Sequence, residues 1–573
     1  MSSKETAVET AKRNSNYLRG TIDEALHNQD DGFVTSDTQI LKFHGIYQQE
    51  DRDLRSIARA IGSESKKSLM VRIKVPGGVL TAEQYLAMDQ LSDEVVYNHS
   101  LRITNRQNFQ LHGVLKQDLH RTIARINQVM LTTFSGCGDV ERNIVAPPAP
   151  LADPAHKQAR NLAHMLNQAL SPTTHAYHEI WLNGERVDHD QESEPLYHDA
   201  YLPRKFKTGI AIPGDNSVDV YDQDMGLLAV IEDGQLQGVN LLVGGGMGLT
   251  HKRPETYARM ATPLGFVATE HILEAVKTII AMFRDYGDRT NRRHARLKYV
   301  VEEWGIDRFR EEFIKRATFD VQPYIDQLPL QHLDHLGRHA QSDGRWYYGV
   351  HIPNGRIIDT PNIRFKSALK AIAIGLHPDV INTPNQNILF ANIEESDIKT
   401  IEKILDTYRV PRAETLSQVR RHFMACPAMP TCGLALTESE RVSPQIIDVI
   451  ERKIEQLGVA DIPITVRMTG CPNGCARPYT ADIALVGHKP GCYDIFLGGS
   501  LRGDRIVELF AVNVPQEDII INLGPVLESW AMDHHPNESF GDFYDRVYRL
   551  EHSNLITGSK ENPSIERIYH TLK

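Results

Sequence analysis

Apolar and polar residues alternate along Leu69–Val75 (LMVRIKV), putting Leu69, Val71, Ile73 and Val75 on one face and predicting a half-buried strand. Pro76-Gly77-Gly78 then predicts a turn, and Thr81–Leu91 a helix for which Thr81 is a suitable N-cap. Leu101–Val114 reads as a further strand, and Ser367–Ile374 as a helix. Upstream the pattern is weaker. Residues 1–67 are polar and open on a segment expected to be disordered, Ile40–Tyr47 is apolar enough to be ordered, and charged Gln48–Lys67 reads as helical with a flexible end. The longest apolar runs, Gly226–Ile231 and Leu241–Gly246, fall far short of the roughly 20 residues that span a bilayer. The polar start lacks the apolar core of a secretory signal, so the cytoplasm is the expected compartment.

The pattern also repeats. Thr104–Gly113 (TNRQNFQLHG) and Thr383–Asn392 (TPNQNILFAN) share Thr, Gln and Asn at the same three positions, 279 residues apart. Pro76-Gly77-Gly78 and its helix are matched by Pro353-Asn354-Gly355 and the helix after it. A second pair follows in the same order: Ile210–Gly246 begins with IAI and ends in NLLVGGG, and Ile483–Ser500 begins with IALVG and ends in DIFLGGS. Two copies of one pair of α/β modules are expected.

With 573 residues the chain has room for about three to five lobes. Its 41% apolar and 24% charged residues exclude disorder over most of its length, and the net charge of −11 lacks the basic excess of a dedicated nucleic-acid binder. The one basic run, Arg289–Lys298 (RTNRRHARLK), has no interleaved aromatics and reads as a solvated or cofactor-facing helix.

Of six cysteines, Cys137 and Cys492 stand alone, whereas Cys426, Cys432, Cys471 and Cys475 fall within fifty residues. They form a C-x5-C pair in ACPAMPTC and a C-x3-C pair in TGCPNGC, both in Pro- and Gly-containing loops whose N–H groups can turn toward sulfur. Thiolates suit an iron–sulfur cluster or zinc; the x5 spacing fits structural zinc poorly, and unligated buried thiols are the remaining alternative.

These two pairs, with TNRQNFQLHG and Tyr201–Lys207 (YLPRKFK), resemble the sirohaem sulfite and nitrite reductases from about Asn16 to the C-terminus. SNYLRGTI and Lys42–Asp53 (KFHGIYQQEDRD) are most similar to the haemoprotein subunit of the assimilatory sulfite reductases. The resemblance implies a [4Fe-4S] cluster on Cys426, Cys432, Cys471 and Cys475, with Cys475 also axial to the sirohaem iron. It implies reduction of sulfite to sulfide, or of nitrite to ammonia, with Arg72, Arg142, Lys205 and Lys207 binding the anion. It further implies that Arg102, Arg106, Gln110, Asn473 and Arg296 contact the macrocycle. A zinc-stabilised binding module without redox chemistry is the reading from a different class.

Physical chemistry agrees with a cationic set. Sirohaem carries eight carboxylates, and buried carboxylates need Arg or Lys partners. Arg102 and Arg106 of the first copy become Ile381 and Asn385 in the second, so the first copy is expected to face the anionic cofactor. Arg holds its proton at neutral pH, which leaves Lys205 and Lys207 as the proton donors. His112, on the same strand, reads as packed.

No G-x-G-x-x-G opens a βα unit, and Gly244–Gly248 (GGGMG) has the wrong spacing for one. Reducing equivalents are therefore expected from a partner. The resemblance implies an NADPH-dependent flavoprotein subunit, but Ile144–Pro150 (IVAPPAP) is more like the ferredoxin-dependent relatives. The expected architecture is α/β (α+β), three lobes on a pseudo-twofold repeat with cofactors at the lobe junction. Residues 1–67 form an extension for partner docking, 68–134 with 339–413 a ferredoxin-like lobe, 135–338 a first sirohaem- and substrate-binding lobe, and 414–573 a second lobe carrying the cysteines.

Overall fold

Two hairpins carry the repeat. In each, a Thr N–H donates to an Asn carbonyl four residues on, Thr104 to Asn108 and Thr383 to Asn387, both at 2.9 Å. In each, the Asn side chain accepts from an upstream backbone, Val75 N–H to Asn108 Oδ1 and Ile352 N–H to Asn387 Oδ1, both at 3.0 Å. The intervening Gln107 and Gln386 take left-handed backbone conformations, φ 58° and 65°. Leu101–Val114 is thus two strands, Leu101–Ile103 and Phe109–Val114, rather than the single strand expected: Gln107 turns the chain back on itself.

The computed structural model describes residues 5–174, 176, 181–182, 185–186, 194–326 and 330–549. Each hairpin sits in a five-stranded sheet. The first runs Ile46–Glu50, Lys67–Ile73, Phe109–Val114, Leu101–Ile103, Arg356–Ile357. The second runs Gly337–Ala340, Trp346–Val350, Ile388–Ile393, Asp379–Asn382, Val79–Leu80. The last strand of each comes from the other copy: Ile357 pairs with Leu101, and Leu80 with Val380. The exchange, reinforced by Gln107 Nε2 donating to the Gly77 and Asn382 carbonyls (3.0 Å each), merges the two copies around one apolar core that includes Val71, Phe109, Ile388 and Phe390. The helices Ala82–Val95, capped by Thr81 in a reciprocal Thr81–Gln84 capping box, and Phe365–Leu376 pack on it.

The second repeat is equally plain. Thr208–Ala211 runs parallel to Met225–Glu232, which continues antiparallel through Gln235–Val243 to Thr262–Ala268. Val466–Thr469, Ile483–Lys489, Cys492–Leu497 and Glu508–Pro515 repeat that order, with Phe423–Ala425 added at one edge. The glycine endings match for a physical reason: a Cβ on Gly245 would lie 2.3 Å from the Tyr221 and Gln223 carbonyls, and one on Gly499 2.2 Å from the Ala481 carbonyl. The beginnings need correction. IAI lies on Thr208–Ala211, the counterpart of Val466–Thr469, whereas IALVG is the counterpart of Met225–Glu232.

Three further expectations change. The N-terminal segment is helical over Ala7–Arg13, where the wholly buried Lys12 donates to the Leu202 carbonyl at 2.7 Å; residues 1–4 lie outside the described residues. Gln48–Lys67 comprises the end of a strand, the helix Arg52–Ala60 and the start of the next strand. Arg289–Arg296 is a loop preceding the helix Leu297–Arg316; Arg293 is exposed, but Arg289 pairs with Glu9, Arg296 with Asp224, and Arg292 holds Asp139 at 2.7 and 3.0 Å. Among the described residues, no helix is long and apolar enough to cross a membrane.

Candidate functional site

The four clustered cysteines converge because two of them end neighbouring parallel strands. Cys426 follows Phe423–Ala425, and Cys471 lies just beyond Val466–Thr469. Gly470 lets the two loops touch: a Cβ there would sit 2.5 Å from the Ala428 methyl. Gly470 N–H donates to Cys426 Sγ at 3.4 Å and the Asn473 amide to Cys471 Sγ at 3.5 Å. Met424, Ala428, Ala435 and Ala476 form an apolar shell.

Burial raises the Cys426 thiol well above its ordinary range, and Cys475, Cys471 and Cys432 add to the rise; Cys471 is pushed up to about 12 by burial and then by Cys475. Thiols that burial and one another raise in this way, Cys426, Cys432 and Cys471, ionise together only with compensating positive charge, which bound iron supplies. Yet among the described residues no three His, Cys, Asp or Glu side chains converge tightly enough for a single ion. The donor set is all sulfur, which suits the thiolate-held iron of an iron–sulfur cluster.

Cys475 is exposed, and it opens onto a cavity between the repeats. Asn105, from the first hairpin, donates to the Cys475 carbonyl at 2.6 Å. The glycine stretch that lacked dinucleotide-binding spacing closes another side: Leu249 N–H donates to the Pro472 carbonyl at 2.9 Å, and Gly246 leaves room for Arg296. Arg106, Lys205, Lys207, Arg296 and Arg477 line the wall, against a single carboxyl, Asp222.

Most of this charge lacks compensation. Arg296 is held by Asp224 at 2.7 and 2.8 Å. Among the described residues, Lys205 and Lys207 make no hydrogen bond and no ion pair within 4.0 Å. Arg106 donates to Gln223 at 2.8 Å and to the Thr208 and Asn143 carbonyls, but its Nε is buried without a partner, as is that of Arg477. Burial, then Arg106 and Arg296, lowers Lys207 to about 7; burial, then Lys207 and Arg296, holds Lys205 well below its ordinary value. A wall of this charge suits an anion, and the carboxylates of a tetrapyrrole match its chemistry.

Asn473 also lines the cavity, whereas Arg72, Arg102, Gln110 and Arg142 are not among its lining residues. Arg72, Gln110, Arg102 and Arg356 form one row of neighbours across the first sheet. With its amide turned to satisfy both neighbours, Gln110 accepts from Arg72 at 2.6 and 3.1 Å and donates to His112. Arg72 also donates to Cys137 Sγ at 2.7 Å and faces the Tyr47 ring. Arg102 donates to the Ala425 carbonyl (3.0 Å) and Glu440 (3.3 Å), clamping the cysteine lobe against the sheet. Arg142 donates to the Gly138 carbonyl and lowers both Lys205 and Lys207. Arg477 and Asp222 escaped the sequence reading. Arg477 stands two residues beyond Cys475 and was detectable there; nothing marks Asp222 in the sequence.

The chain matches the family description "Nitrite and sulphite reductase 4Fe-4S domain" over residues 162–321 and "Nitrite/Sulfite reductase ferredoxin-like half domain" over 61–129 and 339–408. The stretch 162–321 contains no cysteine; the four converging thiols belong to the other copy. A sulfite reductase [NADPH] hemoprotein beta-component of Staphylococcus haemolyticus is 43% identical over 94% of this chain and 94% of its own length. A sulfite reductase [ferredoxin] of Synechococcus elongatus is also 43% identical, over 94% of this chain and 89% of its own. The solved structure of the Mycobacterium tuberculosis NirA protein superposes with a TM-score of 0.77, covering 96% of this chain and 98% of that one, at 23% identity.

Proposed function

We propose that this chain, which belongs to the nitrite and sulfite reductase family, reduces sulfite to sulfide at a joint sirohaem and [4Fe-4S] centre. The observation that carries this reading is the cavity wall, where uncompensated cations meet an exposed cysteine from a group of four facing thiols. When bound, the paired centre supplies an iron for the substrate's sulfur and a store of single electrons.

The overall change is SO₃²⁻ + 6 e⁻ + 6 H⁺ → S²⁻ + 3 H₂O, so the protein must bind an oxyanion and supply protons. Cys426, Cys432, Cys471 and Cys475 would hold the cluster, and Cys475, exposed to the cavity, would be the thiolate that links it to the sirohaem. Arg72 and Arg142 attract the oxyanion. Lys207, lowered to about 7, divides between its charged and neutral forms near neutrality and gives up its proton readily; Lys205 serves beside it. Arg106, Arg296 and Asn473 would contact the macrocycle from the wall, and Gln110 and Arg102 would complete its polar surround.

Electrons arrive from a separate protein in the cytoplasm, an NADPH-dependent flavoprotein subunit or, as the alternative, a ferredoxin. The helix Arg52–Ala60 supports a docking role for the N-terminal extension. It buries none of its residues, and Leu54, Ile57 and the adjoining Ile61 are 63%, 59% and 75% exposed. Its first residue is tied to the cysteine loop, with Arg52 N–H donating to the Pro430 carbonyl at 3.1 Å and its guanidinium to the Cys432 and Ala435 carbonyls.

The test is purified holoprotein with a chemical reductant and sulfite. Strong visible absorption, iron and released sulfide are expected; a colourless, iron-free protein made in cells that supply sirohaem overturns the reading. Comparing kcat/KM for sulfite and nitrite decides between two anions that the same cations attract.

A further inference from the structure

Asp222 is 4% exposed, and neither of its carboxyl oxygens has a hydrogen-bond partner among the described residues. It ends the short turn Val220–Asp222 and lines the cavity beside Arg477 and Lys207. A buried carboxylate with no partner is costly, and a bare anion in a wall built for polyanions would repel the ligand. A carboxylic acid incurs neither cost, because it presents an O–H donor.

We propose that Asp222 is a neutral carboxylic acid that positions the anionic tetrapyrrole by donating a hydrogen bond to one of its carboxylates. The inference rests on the sirohaem reading above. The groups facing Asp222 agree with it. Burial, then Asp219 at the head of its own turn, raises its pKa to about 8, against the lowering effect of Arg467 on the neighbouring strand, Arg477 on the cysteine loop and Lys207. Lys205, Arg106 and Arg296 share the cavity. Carboxylates arriving with the cofactor oppose the cations and favour the protonated acid further. Asp222 thus acts as a hydrogen-bond donor up to mildly alkaline pH and as a repelling charge beyond it.

The consequence is a proton linkage. Above about pH 8 each further unit lowers the affinity for the cofactor by up to about tenfold through this group alone. The experiment takes wild-type holoprotein and Asp222→Asn, which keeps an N–H donor and cannot ionise, and follows retained sirohaem by visible absorbance as pH is raised. Wild type is expected to lose cofactor progressively above about pH 8 and Asp222→Asn to keep it. Infrared difference spectra supply a second readout: a deuteration-sensitive carboxylic-acid C=O band in wild type at neutral pH, absent from the variant. Should Asp222→Asn fail to fold, Asp222→Glu, which keeps the acid and shifts the band, assigns it, and loss of that band near pH 8, above the value of about 7 for the buried Glu141, decides the matter. A coloured, sulfite-reducing wild type without the band overturns this inference and leaves the function standing; so does an unchanged pH profile in Asp222→Asn. A colourless wild type overturns both.

Discussion

Asp219 and Arg477 occupy the same point of the two copies and face each other as an ion pair, Arg477 Nη1 lying 3.0 Å from Asp219 Oδ2. Both backbones are left-handed, φ 49° and 54°, and both lead through a short turn into a matching strand. Arg467 approaches the same carboxylate at 2.6 Å. Burial alone would raise Asp219; Arg467 and Arg477 outweigh it and hold the carboxyl below its ordinary value. The joint between the lobes is therefore closed by residues that the duplication brought face to face, and one of them lines the cavity.

Removing this carboxylate strands two guanidinium groups in the interior. Asp219→Ala is expected to cost about 3–5 kcal/mol, since breaking a buried pair leaves uncompensated charge. A lowered denaturation midpoint and reduced iron content in the purified variant check it. A stability within about 0.5 kcal/mol of wild type, as for an ordinary surface change, would contradict the role.

Lys207 predicts an unusual pH dependence for cofactor-free protein. Its folded value of about 7 lies below the ordinary lysine value of 10.5, so between the two the unfolded chain binds more protons than the folded one. Stability from this group therefore rises with pH from about 7 toward 10.5 and is lowest below about 7, where the buried charge is present in full. Chemical denaturation of wild type and Lys207→Met across this range checks the sign: the variant should show a flatter rise.

Cys475 should be inseparable from the joint centre. Cys475→Ser is expected to lose the coupled visible spectrum and nearly all sulfite turnover while the apolar core stays folded, because the residue is exposed and outside that core. Normal absorption together with full turnover would refute a shared thiolate.

Docking at Arg52–Ala60 separates two routes of reduction. Ile57→Asp places a charge on an exposed apolar stripe and touches nothing buried, so folding should be unaffected. Turnover driven by the physiological donor protein should fall at least several-fold, whereas turnover with a small chemical reductant should be unchanged. Equal rates by both routes would remove this helix from the docking surface.

Local pattern was enough for the duplication, and it singled out four cysteines that end on neighbouring loops and four cations, Arg106, Lys205, Lys207 and Arg296, that meet at one cavity. The Thr-x-x-Gln-Asn hairpins and paired glycine endings impose the same backbone wherever they occur, so three matching residues revealed a repeat that the hydrogen bonds bear out. What stayed hidden depends on which partner a side chain meets across the fold. Arg102 and Arg106 look alike in the chain, yet one is committed to Glu440 and the Ala425 carbonyl while the other reaches the cavity. Asp222 reads as an ordinary charged turn residue, and only enclosure beside Asp219 makes it a weak acid. Strand exchange and burial act between residues hundreds of positions apart, and it is their desolvation and mutual charge, absent from any local pattern, that the tertiary structure alone decides.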